Sequence, residues 1–209
     1  MLPSLARIAI NLYDLILDLA FCGQSLQKCV DRKDKVLGYT SSQSCRYFIL
    51  ESIFKHLSLT TNDEFLDVGC GQGRVFAFLL HKKTNWHLTG IDSNKLALDV
   101  CQKWSNNRGV KTIEKDVFFQ DISSYTIFFL GHPFDKQGLL RFICKIENEV
   151  KKEIIVIMVL DLESGIYLAN RDGWNIIWSE TIYKYYGLQI LPKSNRYTIY
   201  SYKPKHENN

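Results

Sequence analysis

One run of ten residues constrains this chain more than any other: Phe65-Leu66-Asp67-Val68-Gly69-Cys70-Gly71-Gln72-Gly73-Arg74. An apolar strand enters a turn with glycine at every second position, and a helical pattern follows. Glycines let the backbone approach a bulky ligand and adopt dihedrals that a Cβ disfavours, and the new helix offers free N–H groups and a positive dipole end. That combination describes a nucleotide-like site. A dinucleotide fingerprint would carry glycine at the first, third and sixth positions of the turn, and here the sixth is Arg74. Classical NAD binding is therefore disfavoured.

From Thr61 onward, strand-like and helix-like stretches take turns. Glu64 to Val68, Trp86 to Ile91, Val110 to Glu114, Tyr125 to Leu130 and Ile154 to Leu160 read as strands. Gly73 to His81, Asn94 to Asn106 and Lys136 to Val150 read as the intervening helices. This alternation predicts an α/β fold, a doubly wound parallel sheet with helices on both faces, whose ligands bind beyond the carboxyl ends of the strands. After Leu162 the texture changes: Trp174 to Tyr186 and Tyr197 to Tyr202 are rich in β-formers and predict an antiparallel pair closing one edge. Their tyrosines serve cross-strand packing in this reading, base stacking being the alternative.

The 209 residues suit one such domain with an appendage: 1–60 as an N-terminal helical segment or lid, 61–204 as the α/β domain, and 205–209 as a polar tail. Six cysteines form neither CxxC pairs nor a cluster with histidine, so no metal site or disulfide framework is expected, and a reducing, cytoplasmic setting fits. The net charge of +4 is spread along the chain, and Lys82-Lys83 and Lys151-Lys152 fall where helices should end. Basicity therefore says nothing about the substrate.

Leu5 to Cys22 is almost wholly apolar, with Arg7, Asn11, Asp14 and Asp18 on one narrow helical stripe. This predicts an amphipathic helix whose wide apolar face is covered by its own domain, a homodimer or membrane-surface contact being the alternatives. Three charges inside the stretch argue against a transmembrane span, and no basic leader or small-residue cleavage site marks a signal peptide. Gly38-Tyr39-Thr40-Ser41-Ser42 then precedes a helical pattern from Tyr47 to Leu57, for which Ser41, Ser42 or Ser44 could be the cap.

An acid followed by three alternating glycines, Asp67-Val68-Gly69-Cys70-Gly71-Gln72-Gly73, resembles the first motif of the class I S-adenosylmethionine-dependent methyltransferases, and the resemblance extends from about Gly38 to Met158. It implies a Rossmann-like, mostly parallel seven-stranded sheet with an antiparallel edge strand. It also implies S-adenosyl-L-methionine as cofactor, held by the turn residues Gly69, Cys70, Gly71 and Gly73. Asp92, nineteen positions after Gly73 at the end of the second strand, would accept from both ribose hydroxyls, with Ser93 beside it. Asp67 would face the ammonium of the methionine moiety or else tie down the turn. Asp116 and the N–H of Val117 would meet the adenine, with Asp121 as a rival for the acid. Tyr39 and Thr40 would lie over the cofactor, or simply pack.

After the fourth strand comes Leu130-Gly131-His132-Pro133-Phe134-Asp135, where relatives that methylate amino nitrogens carry Asn or Asp before Pro-Pro-aromatic. Here His132 replaces the amide or acid, which leaves the acceptor atom open. Gly131 would border the cofactor, His132 could act as general base toward a hydroxyl, and Phe134 could stack on the acceptor. The expected function is methyl transfer to a small-molecule or sugar-containing acceptor. A protein-lysine or RNA N-methyltransferase, and a non-catalytic S-adenosylmethionine-binding partner protein, are the alternatives.

Overall fold

The structure is a computed structural model that describes residues 5–27, 44–58, 60–83, 86–160, 164–185, 188–189 and 195–205. Helices α1 (Leu5–Cys22) and α2 (Tyr47–Phe54) precede an alternating series: β1 (Glu64–Val68), α3 (Arg74–His81), β2 (His87–Asp92), α4 (Lys95–Ser105), β3 (Val110–Glu114), β4 (Ile127–Leu130), α5 (Lys136–Glu149), β5 (Ile154–Val159) and α6 (Ser164–Leu168). Strands β6 (Trp174–Thr181), β7 (Lys184–Tyr185), β8 (Leu188–Gln189) and β9 (Arg196–Tyr202) follow.

Seven strands form one sheet in the order β3-β2-β1-β4-β5-β9-β6. β1 pairs in parallel with β2 on one side and β4 on the other, and β9 runs antiparallel to both β5 and β6. The reversed strand thus lies second from the edge. Trp174 to Tyr186 does not continue as one strand: β6 ends at Thr181, and β7 pairs with β8 in a separate two-stranded ribbon. Side chains along the inner strands point alternately to the two faces, and both faces are covered. On β4, Ile127 and Phe129 join the cluster under α2 and α3, while Phe128 and Leu130 join the cluster under α5. Strands buried on both sides explain the unbroken apolar runs of β4 and β5.

The orientation of α1 meets the expectation for it only in part. Its polar stripe turns inward together with the apolar flank of Ala6, Ile10, Leu17 and Phe21, Asp14 and Asp18 are fully buried, and the stripe from Leu5 to Leu19 is left outside. Asp18 accepts from Arg74 Nε at 2.9 Å and Nη2 at 2.6 Å, from the Leu26 N–H at 2.8 Å and from the Tyr47 hydroxyl at 3.0 Å. Asp14 accepts from Arg46 Nη1 at 2.9 Å and lies 3.5 Å from Arg74 Nη1. Buried Arg74, partly buried Arg46 and two buried aspartates outweigh the apolar pattern, because a buried charge demands a partner while an exposed leucine costs less. No helix among the described residues is long and apolar enough to cross a membrane. The start of α2 also differs from expectation: Arg46 is its N-cap, without a side-chain bond, and the Ser44 hydroxyl donates instead to the Leu26 carbonyl at 2.7 Å.

Candidate functional site

The carboxyl ends of β1 and β4 are neighbours whose following segments cross to opposite faces, which opens a crevice at that point of the sheet. The glycine turn fills the β1 side. Gly69, Gly71 and Gly73 have φ of +74°, +53° and +85°, the left-handed region. A Cβ on Gly73 would come within 2.5 Å of Cys101 Sγ, and one on Gly69 within 2.8 Å of Pro133 Cβ. The second contact brings the glycine turn directly against the loop that follows β4. Gly69 and Cys70 donate to the Ile91 carbonyl at 2.8 and 3.2 Å, which ties the turn to β2.

Asp92 organises the β2 side. Its Oδ2 accepts from the Gly71 N–H at 2.9 Å and its Oδ1 from the Asn94 N–H at 2.7 Å. Ser93 is exposed beside it. The carbonyl of Asp92 accepts from the Lys115 N–H at 3.1 Å, so the ends of β2 and β3 are held together just before Asp116. Asp116 Oδ1 caps the short turn Val117–Phe119 through the Phe118 N–H at 2.9 Å, and Val117 is buried. The rival Asp121 is exposed, and the Ser123 N–H beside it holds its carboxyl below the usual range.

Asp67 is 2 % exposed, and its Oδ2 has no hydrogen-bond partner among the described residues. Burial, and then the charge of Asp92, push its carboxyl well above the usual range. It borders a cavity of about 30 Å³ whose walls include Gly69, Gly71, Gly131 and the pair Ser44-Cys45. An orphaned buried carboxylate beside glycines that permit close approach suits a ligand carrying a cation. Cys70 is buried and its thiol is likewise pushed well up by burial, which fits packing and not nucleophilic chemistry. Ser44 and Cys45 were missed as lining residues. The only signal was Ser44's place ahead of α2, weighed as a cap alone. Tyr39 and Thr40 lie outside the described residues.

A second cavity, of about 250 Å³, opens at the carboxyl ends of β4 and β5. Leu130, Leu139, Met158 and Leu160 make its walls apolar, and Lys136 and Tyr167 stand beside it, the ammonium 5.1 Å from the ring centroid. His132 and Leu160 both line it and both have left-handed backbones, φ +63° and +58°. Non-glycine residues in that region carry strain of about 1–3 kcal/mol each and cluster at functional sites. His132 is exposed. Phe134 is 4 % exposed and packed between Phe118 and Phe142, with ring centroids 5.5 and 5.3 Å away. Its ring can therefore serve as a fixed wall of the cavity and not as a mobile stacking platform.

Sheet order, glycine turn and paired acids together define a Rossmann-like protein with its ligand crevice between β1 and β4. Residues 65–142 match the family model described as a methyltransferase domain. Residues 65–142, which run from β1 through the glycine turn and the loop after β4, thus carry an S-adenosylmethionine-dependent methyltransferase domain. It is 27 % identical over 163 residues to the ribosomal RNA small subunit methyltransferase C of Shewanella loihica, covering 72 % of this chain and 43 % of that protein. It is 25 % identical over 105 residues to (S)-tetrahydroprotoberberine N-methyltransferase of Eschscholzia californica, covering 44 % of this chain and 29 % of that one. The chain spans less than half the length of these curated relatives. In fold it resembles an RNA methyltransferase from Salinibacter ruber crystallised with S-adenosyl-L-homocysteine, with a TM-score of 0.59 at 12 % identity, over 79 % of this chain and 97 % of that one.

Proposed function

We propose that this protein is an S-adenosyl-L-methionine-dependent methyltransferase whose acceptor is a small, largely apolar molecule bound at the ends of β4 and β5. One observation carries the choice of acceptor: the 250 Å³ apolar cavity beside the crevice, flanked by the two strained residues His132 and Leu160. A cavity of that kind encloses a small molecule with few polar groups. In this reading residues 61–204 carry the reaction, and α1 and α2 pack beside them.

When bound, S-adenosyl-L-methionine supplies an electrophilic methyl group on a sulfonium, so the chain's task is largely to position two partners. Asp92, whose carboxylate is held in place by the Gly71 and Asn94 N–H groups, is the acceptor for the ribose hydroxyls. Asp67 is the counter-charge for the ligand's ammonium, which would relieve its unpartnered burial. Gly69, Gly71 and Gly73 bring the backbone close, Gly131 and Ser93 border the ligand, and Asp116 with the Val117 N–H meets the adenine edge. His132, on the cavity rim, takes the acceptor's proton at an imidazole nitrogen if that acceptor is a hydroxyl. Phe134 holds the wall against which the acceptor lies.

Methyl transfer to RNA is the second reading, favoured by the ribosomal RNA methyltransferases among the relatives. Calorimetry with S-adenosyl-L-methionine tests the cofactor, and Asp92→Ala should abolish the heat. Transfer of labelled methyl to cell-extract fractions tests the acceptor: label in a small apolar fraction, indifferent to nuclease and protease, supports the first reading. Label lost on ribonuclease treatment overturns it in favour of the second.

A further inference from the structure

The outward face of α1 is apolar from end to end. Leu5, Ile8, Leu12, Ile16 and Leu19 are 78, 49, 54, 54 and 50 % exposed. Ala9 and Ala20 are exposed among them. The helix is not free to roll these residues inward, because its other face is fastened through Asp14 and Asp18 to Arg46 and Arg74.

The stripe has an internal symmetry. Ile8 and Ile16 stand four residues either side of Leu12, and Leu5 and Leu19 stand seven either side. Spacing and identity both mirror about Leu12. An antiparallel copy related by a two-fold axis through Leu12 would set Leu5 against Leu19, Ile8 against Ile16 and Leu12 against itself. That reciprocity is what an isologous interface requires. Five large side chains about half exposed offer roughly 400–500 Å² per copy, so two copies reach the ~1,000 Å² total at which specific interfaces begin.

We propose that α1 is a homodimerisation helix, pairing antiparallel with α1 of a second copy about a two-fold axis at Leu12. A helix lying on a membrane surface has basic residues on its polar face and aromatic side chains on its apolar one. Arg7 is the sole basic residue of α1, and both of its aromatics are engaged elsewhere. The Tyr13 hydroxyl donates to Glu51 at 2.7 Å, and Phe21 stacks on His81 at 4.1 Å between centroids.

The test uses the full chain. Sedimentation over a range of concentrations should show a dimer with a micromolar or tighter Kd. Leu12→Arg opposes two like charges on the axis and should raise Kd at least about 100-fold. Because Leu12 is half exposed, circular dichroism should be unchanged, and Ile16→Glu should act in the same direction. After oxidation, Leu12→Cys should link to its own copy, and a mixture of Leu5→Cys and Leu19→Cys proteins should link to each other, each bond mapped by peptide mass spectrometry. A monomer at every concentration, a dimer indifferent to Leu12→Arg, or Leu5→Cys linking to itself overturns the proposal. Flotation of a monomer with anionic phospholipid vesicles overturns it too and assigns the face to a membrane.

Discussion

Asp18→Asn should be among the most damaging conservative changes available in this chain. Asp18 is fully buried and accepts four hydrogen bonds, two of them from Arg74, which is itself only 3 % exposed. An amide keeps the shape but removes the charge and turns one acceptor atom into a donor facing other donors. Arg74 is then left with Asp14 at 3.5 Å as its buried counter-charge. Removing one member of a buried pair costs about 3–5 kcal/mol, because the other charge stays buried. For a chain of this size that is a fall in Tm of about 6–20 °C. Asp14→Asn should cost less: burial outweighs the neighbouring guanidiniums and holds its carboxyl above the usual range. Its ionisation is a net expense although the same contacts favour the charged form of Arg74. The double variant Asp18→Leu/Arg74→Met should recover most of the loss, since an apolar pair of similar volume can replace a buried ion pair at little cost. Thermal and urea unfolding of the wild type, Asp18→Leu, Arg74→Met and the double variant measures the coupling. A single-variant loss below about 1 kcal/mol, or a double variant that loses the sum of the singles, would refute the idea that α1 docks through its charges.

Three further outcomes follow from the site. Asp67→Asn should stabilise the ligand-free protein by about 1–3 kcal/mol at neutral pH while weakening S-adenosyl-L-methionine binding. Because the folded pKa of Asp67 is raised, the wild type loses stability as pH rises through that value, so the advantage of Asn should vanish in acid and grow with pH. Gly73→Ala should cost about 2–4 kcal/mol in urea unfolding, combining the left-handed backbone with a 2.5 Å contact to Cys101 Sγ. His132→Gly should relieve backbone strain and raise stability by about 1 kcal/mol. If His132 is the general base, the same change should lower turnover about 10²- to 10⁴-fold with cofactor affinity intact.

Most of the sheet could be read in advance because each inner strand is buried on both faces, and an unbroken run such as Ile154 to Val159 has few other places to go. The glycine turn was legible for a related reason: all three glycines occupy backbone that a Cβ resists, so their spacing encodes geometry directly. Asp92 was legible from its distance beyond the turn, although its bond to the Gly71 N–H was not, because that bond depends on how β1 and β2 are registered. The strain at Leu160 left no mark in the sequence. Leucine is not a residue from which φ of +58° is expected, and the reason lies in the contact of its N–H with the Arg196 carbonyl, 2.8 Å away on β9.

The shortfall at α1 has a different cause. A stripe of Arg7, Asn11, Asp14 and Asp18 on an otherwise apolar helix is consistent with either face pointing inward, and hydrophobic pattern alone favours covering the leucines. What decides is the chemistry of the opposite surface. Arg74 begins α3 immediately after Gly73 and is 3 % exposed, against the Cys45 carbonyl and the Tyr47 ring, and a guanidinium in that position requires a carboxylate from some other element. Asp18 supplies it, and the Tyr47 hydroxyl and Leu26 N–H complete the coordination of the same carboxylate. The orientation of α1 is therefore set from a residue of the glycine motif more than fifty positions away, and the apolar face is left outside as a consequence. If that face is closed by a second copy, each dimer contact bears on a helix whose inner side is bonded to the first residue after the ligand turn. Cofactor affinity and dimer affinity should then be linked with the same coupling factor in both directions, as thermodynamic reciprocity requires. Sedimentation with and without S-adenosyl-L-methionine measures that factor. An identical Kd in both conditions would mean that the Asp18–Arg74 pair holds α1 in place without transmitting anything through it.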